Sequence, residues 1–173
     1  MTTLRDRMEI AEGDITKLDV GAIINAANSR LLPGSGVCGA IHRAAGPELA
    51  EACEKIYRCP TGEARITPGF LLKAKHVIHA VGPAWNGGKS GEDDLLAGAY
   101  RHSLKLAQDH GVRSIAFPAI STGTYGFPLD RATKIAVATV AEFLRANKLP
   151  ERVVFACFGA EAEAAYRQEL AKL

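Results

Sequence analysis

The sequence predicts an α/β sandwich with a largely parallel or mixed sheet, and three observations lead there. Short β-branched runs alternate along the chain with longer stretches of helical period, the order that builds strands joined by crossover helices. The run Arg152 to Phe158 (RVVFACF) is apolar almost throughout, as a strand covered on both faces requires. The length, 173 residues, matches one domain spanning 1–173, which at this size buries roughly 70% of its unfolded surface and needs neither disulfide nor metal to fold.

Arg7 to Ala11 is the first expected strand, closed by the turn Glu12-Gly13-Asp14. Ala22 to Ala27 (AIINAA) is the second, an apolar run followed by a loop with Gly and Pro from Leu31 to Gly36. Val37 to Ala45 has helical spacing, and Pro47 opens another helix, because a proline in the first turn gives up no hydrogen bond. Thr61 to Leu72 holds one or two short strands about Pro68-Gly69, and His76 to Val81 is a strand stopped by Gly82-Pro83. Trp85 to Asp93 is a loop. Asp93 to His110 is a helix burying Leu95, Leu96, Ala99, Leu104 and Ala107, with Gly111 as its stop. Ser114 to Ala119 is a strand leading into the loop Ile120 to Pro128. Asp130 to Lys148 is a helix burying Ile135, Val137, Ala138, Ala141 and Leu144, ended by Pro150. After the strand Arg152 to Phe158, Glu161 to Leu173 closes the chain as a helix.

Composition excludes several classes. Apolar residues make up 47% and charged residues 23%, a globular balance that excludes a disordered tail, a collagen-like repeat and a coiled coil. The longest apolar runs are about five or six residues, far short of the ~20 that span a bilayer, so no membrane role is expected. Lys plus Arg number 21 and Asp plus Glu 19, a net charge of +2 with no stretch of five or more like charges, so nucleic acid is not the expected partner. Cys38, Cys53, Cys59 and Cys157 form no CxxC pair, the pattern of reduced thiols in a cytoplasmic protein. The N-terminal residues lack the apolar stretch of a signal peptide.

In an open α/β sheet, ligands lie in the crevice beyond the carboxyl ends of the strands, so the residues following each strand are the candidates. Asn25 and Asn28 end the second strand. Each either ties down loop backbone or points into the crevice, where a carboxamide, donor and acceptor at once, suits a sugar diol. Gly34-Ser35-Gly36-Val37-Cys38-Gly39 matches GxGxxG, but a loop separates it from the strand, and Glu51 and Glu54 lie in a helical stretch rather than at a strand end. A nicotinamide fold is therefore rejected. The glycines still let backbone N–H groups approach a ligand closely, and the helix that follows offers its positive end to an anion.

Ser121-Thr122-Gly123-Thr124-Tyr125-Gly126 is a second small-residue loop behind a strand, and two such loops can clasp a diphosphate. No GK[ST] follows the glycines, which argues against magnesium-dependent ATP or GTP hydrolysis. Asp14 either caps a turn or accepts from an exocyclic amine such as adenine's. Phe158 is either a core residue or a stacking platform. His76 and His79, three apart on a strand, point to opposite faces, and the histidines form no metal site. His42 lies one turn after Cys38, but no oxyanion donor or orienting group is assignable beside a Cys–His pair.

These motifs, in this order, resemble those of the macrodomains, and within them the MacroD-type ADP-ribosyl hydrolases and O-acetyl-ADP-ribose deacetylases. The matching segments are Gly13-Asp14-Ile15-Thr16, Asn25-Ala26-Ala27-Asn28-Ser29, Gly34-Ser35-Gly36-Val37, Gly39 to Gly46, and Ile120-Ser121-Thr122-Gly123 with Tyr125-Gly126-Phe127-Pro128. The resemblance covers essentially the whole chain. It implies a three-layer α/β/α sandwich around a mixed, mostly parallel sheet, with ADP-ribose or a mono-ADP-ribosylated protein as partner, no metal and no redox cofactor. The sequence leaves the oligomeric state open, with a monomer favoured.

It also implies a ligand set. Asp14 and Ile15 would meet the adenine, and Phe158 would lie against it. Backbone groups of Ser35, Gly36, Val37 and Cys38, and of Ser121, Thr122, Gly123, Thr124, Tyr125 and Gly126, would hold the diphosphate. Asn25 and Asn28 would serve the sugar, Asn28 bonding the distal ribose as a catalytic residue, with Tyr125 and Phe127 walling that end. One departure bears on catalysis: Cys38 stands where these hydrolases usually carry an aspartate, and an ordinary thiol is protonated at neutral pH. The resemblance therefore implies either an ester hydrolase in which a substrate phosphate oxygen helps activate water, or a reader that binds ADP-ribose without turnover.

Overall fold

A computed structural model describes residues 2–173. Its strands are β1 (Met8–Glu12), β2 (Ala22–Ala26), β3 (Ala64–Pro68), β4 (His76–Ala80), β5 (Ser114–Phe117) and β6 (Arg152–Cys157). Its α-helices are α1 (Gly36–Ala45), α2 (Pro47–Ile56), α3 (Glu92–Asp109), α4 (Leu129–Ala146) and α5 (Ala160–Leu170). The six strands form one sheet in the order β1-β6-β5-β2-β4-β3. Every neighbouring pair is parallel except β3 with β4. This is the expected mixed, mostly parallel sandwich.

The period of two along β2 divides the core. Ala22 and Ile24 face one side, with Leu96, Tyr100 and Leu104 of α3, Val137 and Val140 of α4 and Tyr166 of α5. Ile23 and Ala27 face the other, with Ile41 of α1 and Leu49 and Cys53 of α2. Aromatic contacts stitch the first side together: Tyr100 meets Phe117 and Phe155 meets Tyr166, each at 4.8 Å between ring centres. In β6, Val153 to Cys157 are all buried, as a strand with both faces covered must be.

The structure corrects several expected boundaries. Thr61 to Leu72 holds one strand, β3, within the one or two expected, and Gly69 then turns the chain so tightly that an added Cβ would run into the Ala74 carbonyl oxygen. β5 stops at Phe117, two residues short of Ala119, because Pro118 has no N–H to offer the ladder. Ala138, expected inside, is exposed: the buried stripe of α4 runs through Ala132, Ala136, Val140 and Leu144, and Ala138 is half a turn out of phase. Leu95 and Ile135 are only partly covered.

α4 ends at Ala146 for a reason absent from its own sequence. The Arg7 guanidinium donates to the carbonyl oxygens of Leu144 (2.7 Å), Asn147 (2.9 Å), Lys148 (3.1 Å) and Pro150 (2.7 Å). Of these, Leu144 lies in the last turn, whose carbonyls have no intrahelical partner, and the other three line the segment that leaves the helix. Among the described residues, no helix is long and apolar enough to cross a membrane.

Candidate functional site

The five parallel strands all present their carboxyl ends at one edge of the sheet, and the candidate residues follow them there. At one end, the Gly13 N–H bonds the Cys157 carbonyl oxygen at 3.2 Å, extending the β1–β6 ladder, so that Asp14 and Phe158 follow paired strand ends. Asp14 caps a short 3-10 turn, Ile15–Lys17. Its Oδ1 accepts from the Thr16 N–H (2.9 Å) and hydroxyl (2.7 Å), two bonds that hold the carboxyl below its usual range. Oδ2 takes no partner among the described residues, and the residue is exposed. Phe158 is 87% exposed and is not a core residue. Ile15 is buried, so only its backbone reaches this edge.

The middle of the edge is lined with backbone donors. In α1 the first intrahelical bond runs from Gly39 to the Ser35 carbonyl (3.2 Å), and no side chain caps the end. The N–H groups of Gly36, Val37 and Cys38 therefore have no partner among the described residues. Gly36 starts the helix from a φ of +58°, in the left-handed region that glycine adopts without strain. After β5, Phe127 N–H bonds the Ser121 carbonyl (2.9 Å) and Gly126 N–H bonds the Gly123 carbonyl (3.0 Å), closing a tight loop. Within it the N–H groups of Gly123, Thr124 and Tyr125 have no protein partner. Ser121 holds φ at +69°, its hydroxyl is buried without a partner, and it packs on Gly82, where a Cβ would lie 2.2 Å from Ser121 Oγ.

At the other end Asn28, Gly34 and Cys38 come together: a Cβ on Gly34 would lie 3.7 Å from Cys38 Sγ and 4.0 Å from Asn28 Nδ2. Asn28 Oδ1 accepts from the N–H groups of Arg30 (3.2 Å) and Leu32 (3.1 Å), while Nδ2 donates to the Leu32 carbonyl (2.8 Å). The side chain thus shapes its own loop and keeps one N–H free. Cys38 Sγ lies 3.7 Å from the same carbonyl and 3.7 Å from Asn25 Nδ2.

Asn25 does not reach the crevice. It is buried beneath α1, its Nδ2 3.1 Å from His79 Nδ1. Nor does Phe127 present a wall: its ring is buried against Trp85, 4.7 Å between centres. Tyr125 is partly exposed. His42 makes no bond to Cys38, and burial pushes its ring below the ordinary histidine value.

Sequence reasoning missed the brace behind the second loop. Trp85 N–H donates to the Tyr125 carbonyl (2.8 Å), and Arg131 lies over the Trp85 ring at 5.0 Å. Arg131 also makes two 2.8 Å bonds to Asp93. Glu92 accepts from the N–H groups of Asn86 (2.8 Å), Gly88 (2.9 Å) and Ser90 (2.6 Å), which hold its carboxyl down at about 2. A glutamate directly after a glycine-bearing loop is the one signal that could have marked it. Since the folded value lies below the unfolded 4.5, Glu92 stabilises the fold above pH 4.5, and that contribution is lost as pH falls toward 2. Glu92→Gln is expected to lower Tm at pH 7 and to flatten its decline between pH 4.5 and 2, as read by calorimetry across that range.

Two surface cavities, of about 410 and 450 Å³, flank α2; the larger is lined by Arg30 to Pro33, Tyr57 and Arg58. Neither includes Asp14 or the 121–126 loop. Among the described residues no group of three or more His, Cys, Asp or Glu side chains is placed to hold a metal ion. The edge as built offers an exposed carboxylate and ring at one end, unpaired N–H groups in the middle and a carboxamide at the other. That arrangement suits an elongated ligand with a purine, an anionic centre and a sugar.

Comparison with known proteins points the same way. The Macro domain family model matches residues 24–136. The O-acetyl-ADP-ribose deacetylase of Escherichia fergusonii is 54% identical over 171 residues, 96% of this chain and 97% of that protein. The structure of the Oceanobacillus iheyensis macrodomain with ADP superposes with a TM-score of 0.89 at 42% identity, covering 95% of this chain and 90% of the other. The Trypanosoma brucei macrodomain in complex with ADP-ribose also gives 0.89, at 41% identity, covering 94% of this chain and 68% of the other.

Proposed function

This chain belongs to the macro domain family, and from that premise we propose that it binds ADP-ribose along the carboxyl edge of its sheet and hydrolyses ADP-ribose esters. The substrates are acidic side chains of mono-ADP-ribosylated proteins or O-acetyl-ADP-ribose, and water yields ADP-ribose and the free acid. The observation that carries this reading is the meeting of Asn28, Gly34 and Cys38 beside the unpaired N–H groups of α1. The name of the Escherichia fergusonii relative supports the ester, and the ADP-ribose complex of the Trypanosoma brucei relative supports the ligand.

On this reading Asp14 Oδ2 accepts from the adenine amine and Phe158 covers the ring face, contacts that position without reacting. The N–H groups of Gly36 to Cys38 and of Gly123 to Tyr125 take the diphosphate oxygens. Their fixed dipoles favour the anion without needing to reorganise. Asn28 directs its free N–H to the distal ribose, and a phosphate oxygen of the substrate assists the attacking water.

Cys38 is not placed as a base. Its thiol is buried and directed at the Leu32 carbonyl, so it fills space and donates a hydrogen bond. Cys38→Ala is therefore expected to lower turnover by roughly five- to tenfold, the weight of about one hydrogen bond, and not by the roughly 10²-fold or more that losing a general base would cost.

The test incubates the purified protein with a glutamate-ester-linked mono-ADP-ribosylated protein and counts released ADP-ribose. Release is expected, and Cys38→Asp run beside it shows whether a carboxylate adds to the rate. The missing carboxylate at position 38 is the specific observation that favours a reader. No release of ADP-ribose or acetate, under conditions where calorimetry shows ADP-ribose bound, would establish that second reading.

A further inference from the structure

Behind the site lies a chain of buried polar groups that the proposed chemistry does not use. The Thr67 hydroxyl lies 3.1 Å from the Pro68 carbonyl and 3.0 Å from His79 Nε2. His79 Nδ1 lies 3.1 Å from Asn25 Nδ2, which lies 3.7 Å from Cys38 Sγ. The thiol lies 3.7 Å from the Leu32 carbonyl, and that carbonyl accepts the Nδ2–H of Asn28 at 2.8 Å. Strand register sets the pivot, because Asn25 of β2 and His79 of β4 are direct partners on the same face of the sheet.

The direction of every bond follows from chemistry. The carbonyls of Pro68 and Leu32 only accept, so the Thr67 hydroxyl and the Cys38 thiol donate to them. Thr67 then accepts from His79, whose proton must sit on Nε2. His79 is fully buried, and burial together with the nearby His42 charge pushes it down to about 3, so the ring is neutral and holds that one proton. Its bare Nδ1 accepts one Asn25 N–H, and the second Asn25 N–H reaches the thiol sulfur. One atom, Asn25 Oδ1, is left without a partner. The flipped amide would instead leave two buried N–H donors unpaired, and orphaned N–H groups are the rarer and costlier defect.

We propose that Asn25 and His79 are positioning residues for Asn28, acting through the Cys38 thiol and the Leu32 carbonyl. They fix the loop from Asn28 to Leu32 against α1, and so fix the direction of the free Asn28 N–H. This inference rests on the reading that Asn28 meets the distal ribose. It explains why a buried, neutral histidine stands on β4 opposite an asparagine in a layer that also holds Ile23, Val77, Val81 and Cys53, whose Sγ lies 3.7 Å from His79 Nε2.

The test compares ADP, which lacks the distal ribose, with ADP-ribose. Each is titrated calorimetrically into the wild type, His79→Leu and His79→Gln. The wild type is expected to bind ADP-ribose more tightly than ADP. His79→Leu removes the acceptor for Asn25 and is expected to cut that preference roughly five- to tenfold, the weight of about one hydrogen bond. Its affinity for ADP should stay within about twofold. His79→Gln, whose amide can accept from Asn25 and donate to Thr67, is expected to restore the preference.

Nitrogen-15 NMR of the wild type gives a readout independent of any variant's folding: Nε2 protonated and Nδ1 bare. The opposite tautomer overturns the inference, as does a His79→Leu protein that keeps the wild-type preference or loses ADP and ADP-ribose equally. A wild type that does not distinguish ADP-ribose from ADP overturns instead the assignment of Asn28 to the distal ribose, and the inference falls with it.

Discussion

Asn28→Ala is expected to lower ester hydrolysis by roughly 10²- to 10³-fold, because the substitution removes both the ribose contact and the device that shapes its own loop. The Oδ1 of Asn28 gathers the N–H groups of Arg30 and Leu32, and its Nδ2 holds the Leu32 carbonyl. Without them, the stretch from Asn28 to Leu32 loses its internal template. Affinity for ADP should change little, since the adenine and diphosphate contacts lie elsewhere along the edge. Asn28→Asp keeps the two bonds that Oδ1 accepts from the N–H groups of Arg30 and Leu32 but loses both the donation to the Leu32 carbonyl and the N–H for the ribose, so it isolates what the amide nitrogen contributes. Single-turnover release of ADP-ribose from the ester-linked protein measures both variants. A rate for Asn28→Ala within threefold of wild type would remove Asn28 from the chemistry.

Gly39→Ala is the second large effect. A Cβ at that position would lie 2.5 Å from the Gly34 carbonyl oxygen, a backbone atom with no rotamer to turn away, and 3.1 Å from Arg43 Nη1. Relief requires the loop at Gly34 to lift from the first turn of α1, where the unpaired N–H groups lie. Overpacking of this kind costs about 1–3 kcal/mol. At roughly 2–4 °C per kcal/mol for a chain of this size, that is a Tm lower by about 2–12 °C. ADP-ribose affinity is expected to fall by roughly 10- to 100-fold, because the displaced segment is the anion cradle itself. An unchanged dissociation constant in calorimetry would show that the diphosphate does not use this turn.

Much of this protein is legible in one dimension because its signals are local. The alternation of β-branched runs with helical stripes, the proline at the start of α2 and the glycine-bearing loops each act within a few residues. So do the motifs Gly13 to Thr16, Asn25 to Ser29 and Ile120 to Pro128, which together carry the family resemblance. The errors fall where local information is degenerate. Ala138 fits a helical stripe nearly as well as its neighbours do, and only packing against the sheet sets the phase.

By itself, then, the sequence determined the class of fold, the order of elements and which loops stand behind parallel strands, because hydrophobic period and turn chemistry are properties of adjacent residues. The tertiary structure alone decided which asparagine serves which purpose. Asn25 and Asn28 are both strand-end carboxamides in sequence, but Asn25 meets a histidine 54 positions away and turns inward, while Asn28 finds its partners within four residues and remains at the edge. The same holds for Arg7, whose acceptors lie 137 to 143 residues downstream. A hydrogen bond is won by whichever group the fold brings within 3 Å or so, and no reading of neighbours along the chain contains that distance.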